Sequence, residues 1–520
     1  MTQPAEIEGL RADYDTTPYT SDAFPQSAPG RLAAIAHVFG LDTPDLATAR
    51  VLEIGCASAG NLIPFAAMYP RARVVGVDLS EVQIAHGRAR AAALGVENLE
   101  LIAADLAQLD PESLGRFDVI VAHGVYSWVP EHVRDALLNI FRSALSPDGV
   151  AYVSYNTHPG WKSKEVLRDV MLLASGASAT PEEKVREARG VVDFLADVAP
   201  AGSVLARTLA EFEARDVGFG DAYLLHDELE AFNAPCYFYE MIGRAAAHGL
   251  AYLAEAHPES MFPANHGPKV VEYVNAKCGG VQVLVEQYLD FVVNRAFRET
   301  LLVHAERAPL IRHAVDRARL RELHVAAWSP PVDGPTVLDH SRQEYEVADG
   351  ATLFTNDPGL KAVLETLNAH WPWTLSSGEL VGEVHDRLTA AGLVPSPTLA
   401  AHVDELVGVL VVQGTARYRL TPVRPSTDAS TRLPEPVRRA YALSRADAEM
   451  SVFNLWHEPL LPSEVDRRLL PLLDGTRDHD ALLAELLADH RDDPIPDVTE
   501  RDLEAAVDGL PARLRELKLA

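Results

Sequence analysis

Three carboxylates placed at regular intervals near the amino terminus carry the first chemical signal in this chain. Glu53 lies in the apolar run Val51-Leu-Glu-Ile54, which leads into a turn of small residues, Gly55-Cys-Ala-Ser-Ala-Gly-Asn61. Asp78 ends a second apolar run, Val74-Val-Gly-Val-Asp78, 23 residues after Gly55, and Asp105 follows a third, Leu99-Glu-Leu-Ile-Ala103. If each run is a strand, the acids stand at the carboxyl ends of three successive strands and line one crevice, where open α/β sheets bind ligands. Gly55-x-Ala57-x-x-Gly60 alone is a near miss to the dinucleotide fingerprint, and matches of that length arise by chance. The order of the three acids is more specific. Asp78 has the spacing at which a carboxylate reaches the ribose hydroxyls of a nucleotide. A dehydrogenase loop sets a pyrophosphate on a helix amino terminus and has no use for a neighbouring acid, so Glu53 favours a cofactor with a cationic amino-acid portion. S-adenosylmethionine (AdoMet) carries an ammonium and a sulfonium and fits. A nicotinamide enzyme and a plain βαβ crossover without cofactor are the competing readings.

The elements that must position these acids are legible downstream. Phe117-Asp-Val-Ile-Val-Ala122 reads as a fourth buried strand, followed by a helix from about 130 to 144, a turn at Leu145-Ser-Pro-Asp-Gly149 and a fifth strand, Val150-Ala-Tyr-Val-Ser-Tyr155. Strands and helices alternating at these lengths imply a parallel, doubly wound α/β sheet. Leu250-Ala-Tyr-Leu-Ala254, after a helix stopped by Gly249, and Thr300-Leu-Leu-Val-His304 would complete seven strands. Helical insertions then fall at about 160–221 and 258–298, and the first, leaving the fifth strand's carboxyl end, should lie over the crevice.

Several motifs together resemble one family. They are Tyr14-Asp-Thr-Thr-Pro-Tyr19 with Phe24-Pro-Gln26, the 55–64 loop, His123-Gly-Val-Tyr-Ser-Trp-Val129, and Val153-Ser-Tyr-Asn-Thr157 with Pro159-Gly-Trp161. Later echoes are Asn233-Ala-Pro-Cys-Tyr-Phe238, Gln287-Tyr-Leu-Asp-Phe291 and Arg468-Leu-Leu-Pro-Leu-Leu-Asp-Gly475. The chain resembles, over nearly its whole length, the bacterial class I methyltransferases with a methyltransferase regulatory domain and a winged-helix carboxyl-terminal region, which include rickettsial protein lysine methyltransferases. The resemblance implies a Rossmann-like seven-stranded class I sheet with AdoMet as methyl donor. It assigns to the cofactor Tyr14, Glu53, Gly55, Ala57, Asn61, Asp78 and Leu79 at the ribose, Asp105 with Leu106 at the adenine, and His123 at the end of the fourth strand. One departure is Ala59, where the family usually has Gly. Its methyl group is expected to narrow the cofactor cleft, while Gly60 supplies a left-handed turn conformation.

Methyl transfer from a sulfonium needs little acid or base chemistry, because the methyl group is already activated and positioning supplies most of the acceleration. A lysine acceptor must nevertheless arrive neutral although its free pKa is ~10.4. Desolvation among aromatic walls achieves this, and aromatic faces attract the cation. Tyr126, Tyr155 and Asn156 are the candidate catalytic residues, and Tyr19, Trp128 and Trp161 the candidate acceptor-binding ones. Packing of Trp128 and Trp161 between insertion and sheet is the plainer alternative.

Composition bounds the partners. With 520 residues, 48% of them hydrophobic, the chain is long enough for several domains with proper cores. A formal charge of −29 repels nucleic-acid phosphates and anionic membranes and attracts basic proteins or peptides. Cys56, Cys236 and Cys278 lack metal spacing, and His123, His158 and His226 are too dispersed for a ligand set, so no metal is expected. No run approaches the ~18 apolar residues of a membrane span, and a reducing cytoplasm is the expected location.

The domain reading is a lid segment at 1–40, the methyltransferase domain at 41–315, a winged-helix-like domain at 336–421 and a helical domain at 432–520. The middle module has no Lys or Arg between Leu388 and Ala416 and carries Asp404 and Glu405 on its third helix, which favours protein contact over DNA. The last is read as a scaffold, an oligomerisation domain or a docking arm. As a docking arm, its removal would cripple methylation of a folded protein yet spare a small free substrate. The sequence thus points to an AdoMet-dependent methyltransferase with protein lysine as leading acceptor. A small-molecule or modified-peptide N-, O- or C-methyltransferase is the alternative, and a non-catalytic AdoMet-binding scaffold the second.

Overall fold

The computed structural model describes residues 3–16, 21–176, 178, 180–216, 221, 224–230, 232–424, 432–447 and 450–519. Its centre is a seven-stranded sheet of β1 (Arg50–Ile54), β2 (Arg73–Asp78), β3 (Leu99–Ala103), β4 (Phe117–Ala122), β5 (Leu145–Asn156), β6 (Leu250–Glu255) and β7 (Phe297–His304), in the spatial order 3-2-1-4-5-7-6. The first five strands are parallel, and β7 runs antiparallel between β5 and β6. The apolar runs of β1, β2, β4 and β5 are buried on both faces, as a sheet covered by helices requires, while the edge strand β3 buries only Leu101. The crossover helix Glu81–Leu94 starts where Ser80 accepts a hydrogen bond from the Gln83 amide and ends at Gly95 in the left-handed conformation.

One local expectation is corrected. Leu145–Gly149 is no turn but the first part of β5, because Leu145 pairs with Phe117 and a register irregularity between Phe117 and Val119 absorbs the extra residues.

The strand order reverses between β1 and β4, so the carboxyl ends of β1, β2 and β4 face one crevice. The helix Gln3–Thr16 lies over it, held where Ser80 Oγ donates to Asp15 at 2.6 Å. Helices Gly160–Ser175, Pro181–Val198 and Val204–Asp216 form the first insertion, with a small core of their own, and Pro268–Cys278 and Gln282–Val293 the second. The second insertion is tied to the sheet by a buried charge cluster. Arg298 in β7 meets Glu255 of β6 at 2.7 Å, and Asp290 and Glu286 of Gln282–Val293 at 2.8 and 3.1 Å, with its guanidinium 3.9 Å from the Phe238 ring.

Beyond β7, His324–Ala327 pairs antiparallel with Leu375–Ser376 and Ala416–Arg419, beneath helices Pro358–His370, Ser377–Ala390 and Leu399–Val412. Ser376 and Glu379 form a capping box that starts the second of these helices. The last region combines five helices between Glu435 and Leu517 with a hairpin pairing Val452–Phe453 and Pro459–Leu460. It packs against the domain of the seven-stranded sheet: Arg90 meets Asp447 at 3.0 Å, and Arg439 donates to the Leu94 carbonyl. Among the described residues no helix is long and apolar enough to cross a membrane.

Removing one partner from a buried ion cluster strands the others. Arg298→Met should therefore destabilise the protein by about 3–5 kcal/mol at neutral pH, read as a lowered midpoint in denaturant unfolding.

Candidate active site

The crevice holds a cavity of about 440 Å³ whose wall includes Glu53, Gly55, Ala57, Asn61, Asp78, Leu79, Asp105, Leu106 and His123. Ile7 and Tyr14, two turns apart on the same face of the amino-terminal helix, close one side. Trp128, Asn156, Trp161, Lys164 and Phe297 line the other end.

Asp78 organises the loop. Its two carboxylate oxygens accept the Ala57 and Ser80 amides at 2.8 and 2.9 Å, and burial pushes its carboxyl up against those bonds. Each oxygen keeps a second lone pair. Asp105 accepts from the Ala107 amide and the Gln108 side chain, so it shapes its own turn as well as the cavity wall.

Gly60, expected to supply the left-handed turn conformation, is not the residue that takes it. Ala57 and Ala59 adopt the left-handed conformation, with φ of +47° and +63°, whereas Gly60 is needed for a close approach: a Cβ there would sit 1.9 Å from the Ser21 carbonyl oxygen. The Ala59 methyl is fully buried in the core and does not line the cavity, so it does not narrow the cleft. Its cost is conformational, about 1–2 kcal/mol.

Glu53 is only half satisfied. It is buried, its Oε1 accepts from Asn61 Nδ2 at 2.8 Å, and its Oε2 meets no hydrogen-bond donor among the described residues. Burial pushes its carboxyl up to about 8, against the Asn61 hydrogen bond and with help from Asp78. The Gln83 side-chain oxygen at the cavity wall is likewise unpartnered. A ligand with an ammonium at Glu53, a diol at Asp78 and an apolar-edged ring against Leu79 and Leu106 answers these needs, which is the donor set of AdoMet. When bound, AdoMet supplies an activated methyl group on its sulfonium.

Of the residues proposed for catalysis, the structure brings Asn156 to the cavity and not Tyr155 or Tyr126. Side chains alternate along a strand, so Tyr155 points to the opposite side of β5, where its hydroxyl lies 3.0 Å from Thr300 Oγ1. Tyr126 is buried 6.0 Å from the Tyr155 ring and beneath the Arg134 guanidinium. Trp128 and Trp161 meet edge to face at 6.3 Å and both line the cavity, so packing and lining coexist. Tyr19 lies outside the described residues. Sequence reasoning missed Ser21, Gln83, Lys164 and Phe297 as wall residues, and Phe24, which it quoted without a role. Among the described residues, no group of three or more His, Cys, Asp or Glu is placed to hold a metal ion.

A doubly wound sheet with an acid at each relevant strand end and a cavity fitted to AdoMet defines a class I AdoMet-dependent methyltransferase. Family models agree: a methyltransferase domain matches residues 51–149, a methyltransferase regulatory domain 220–304, and a PKMT C-terminal winged helix domain 435–497. The last match covers the stretch that contains the Val452–Leu460 hairpin, carboxyl-terminal to the three-helix module at 336–421. An uncharacterized protein of Rickettsia prowazekii, RP789, is 32% identical over 91% of this chain and 85% of its own. The structure of PKMT2 from Rickettsia typhi in complex with AdoHcy is 27% identical, with a TM-score of 0.84 over 96% of this chain and all of that one. The chain belongs to the class I AdoMet-dependent methyltransferases that carry a regulatory domain and a PKMT C-terminal winged helix domain, and AdoMet is its cofactor.

Glu53 gives the site a proton signature. Its folded pKa stands above the unfolded carboxylate value of ~4.3, so its own contribution to stability is fully present below that value and is lost as pH rises through about 8. A bound ammonium draws the pKa back down. At pH 7, AdoMet binding should release about one proton, measured by calorimetry in buffers of different ionisation enthalpy, and Glu53→Gln should abolish the release.

Proposed function

We propose that this methyltransferase transfers methyl groups to protein lysine side chains. The observation that carries the reading is His123, a neutral proton acceptor at the cavity wall. Burial lowers the His123 pKa against the pull of Glu299, and its Nδ1 lies 2.9 Å from the Tyr152 hydroxyl. That hydroxyl donates to Glu299 at 2.8 Å, so its oxygen accepts from His123 Nδ1–H and Nε2 is left unprotonated. Burial raises the Glu299 carboxyl, but hydrogen bonds from His257 and Tyr152 outweigh it and hold it below the usual range. Half-exposed His257 bridges Glu299 and Glu259 at 3.1 Å each. A proton taken by His123 Nε2 can move through the Tyr152 hydroxyl to the Glu299 carboxylate. His257, pushed up to about 9 by its two carboxylates and so already charged, must release a proton outward before it takes this one. Such a route is suited to an acceptor amine that must lose a proton before it attacks.

The acceptor end of the cavity supports the same reading. Phe24, Trp128, Trp161 and Phe297 provide aromatic surface, and the Lys164 ammonium already rests 4.8 Å from the Trp161 ring, the contact an incoming lysine would make. A protein rather than a free metabolite is supported by the likeness to PKMT2, which extends through the carboxyl-terminal modules. The charge of −29 suits a basic protein or peptide and disfavours nucleic acid. A cytoplasmic location belongs to the same proposal.

The test is labelled AdoMet incubated with the enzyme and fractionated extract of the source organism. A discrete labelled protein that yields methyl-lysine on hydrolysis supports the proposal, and label confined to small molecules overturns it. With that acceptor, Tyr152→Phe should lower turnover about 10- to 100-fold at neutral pH and leave AdoMet affinity intact. The deficit should shrink towards pH 10, where the free amine forms without help.

A further inference from the structure

Asn61 is the point where the cofactor loop meets the carboxyl-terminal domain. Its carboxamide makes four hydrogen bonds, the full capacity of the group. Nδ2 donates to Glu53 Oε1 at 2.8 Å and to Ser27 Oγ at 3.1 Å. Oδ1 accepts from the Phe24 amide at 2.9 Å and from His457 Nε2 at 2.8 Å. Two donors converge on Oδ1, so the amide cannot flip without placing N–H groups against each other. His457 lies 396 residues away in sequence, in the turn of the Val452–Leu460 hairpin. It is buried and takes a left-handed conformation, with φ of +64°, in a turn built on Asn454, whose side-chain oxygen accepts the Trp456 and Glu458 amides. Burial and the neighbouring Arg419 hold its imidazole down to about 3, so it stays neutral. A second contact reinforces the junction: Arg90 spans from Ser58 Oγ in the cofactor loop to Asp447.

We propose that His457 is a positioning residue of the AdoMet site: its Nε2–H locks the Asn61 carboxamide in the orientation that engages Glu53 Oε1 and leaves Glu53 Oε2, which no described donor meets, for the cofactor's ammonium. The carboxyl-terminal hairpin is then part of the cofactor site. Removal of residues 432–520 disturbs AdoMet binding itself, whatever the acceptor, in contrast to the docking-arm expectation.

The test uses the full chain and two ligands, AdoHcy, which carries the ammonium, and 5′-methylthioadenosine, which lacks the amino-acid portion. His457→Asn tolerates the left-handed backbone but is too short to reach Asn61, whereas His457→Gln places an amide donor the same number of bonds from the backbone as Nε2. By calorimetry, His457→Asn should weaken AdoHcy about tenfold, or 1.4 kcal/mol, and leave methylthioadenosine within twofold. His457→Gln should restore most of the AdoHcy affinity. Equal weakening of both ligands, or no weakening of either, overturns the proposal, since a merely structural role would not discriminate by ammonium. If His457→Asn does not fold, His457→Gly, which takes the left-handed backbone without strain, removes the same donor. Loss confined to AdoHcy supports the proposal, and equal loss on both ligands overturns it.

Discussion

A carboxyl group buried with one oxygen satisfied and one unengaged is the constraint around which this site is arranged. Leaving such a group unpaired costs about 1–3 kcal/mol, and burial has already pushed Glu53 towards its neutral form. The surroundings supply one donor to Oε1 and withhold a second from Oε2. Free energy spent in the unliganded protein is thereby recovered when a cation arrives, which is how a buried acid becomes selective for an ammonium over a neutral amino acid surrogate. Asp78 shows the opposite solution. Both of its oxygens hold backbone amides, so it fixes the loop's shape first and meets a diol with its remaining lone pairs.

A second buried charge set solves a mechanical problem. The regulatory insertion returns to the sheet through β7, the one antiparallel strand, and its helix Gln282–Val293 must register on β6 and β7. Apolar packing alone would tolerate sliding. The Arg298 guanidinium, which takes its three carboxylates from two elements, fixes that register by directional bonds. Tyr155 joins this set through Thr300, which in turn donates to Glu255, so its hydroxyl serves the sheet's edge rather than the crevice.

What was legible in the sequence follows from what is local. Strand-end acids are readable because the chain must alternate strand and helix at fixed lengths, so Glu53, Asp78 and Asp105 declared one crevice from spacing alone. Tyr155 and Asn156 show the limit. Adjacent residues at a strand end face opposite sides, and which side opens on the ligand depends on the register with β4 and β7. The turn wrongly placed at Leu145–Gly149 has the same origin, since Pro, Asp and Gly in sequence signal a turn while the register irregularity beside Phe117 accommodates them as strand. Ala59 had no readable geometry either: the methyl group's direction depends on a left-handed backbone that Ala seldom takes.

His457 was illegible for a deeper reason. A histidine in the mostly apolar stretch Val452 to Leu461, with no motif around it, becomes a partner of Asn61 only when the carboxyl-terminal hairpin packs on the loop. The loop is thus built from three separate stretches: the amino-terminal Ser21 to Ser27, which approaches Gly60 so closely that no side chain fits, the β1 turn itself, and the hairpin near 457. None of the three is shaped correctly alone, because each supplies hydrogen bonds that the others need. Such an arrangement resists exchange of its end modules, since a foreign carboxyl-terminal domain would leave Asn61 Oδ1 with the Phe24 amide alone and the carboxamide less firmly held. A likeness to PKMT2 that runs through 96% of this chain, and does not stop at the sheet, is what that interdependence would preserve.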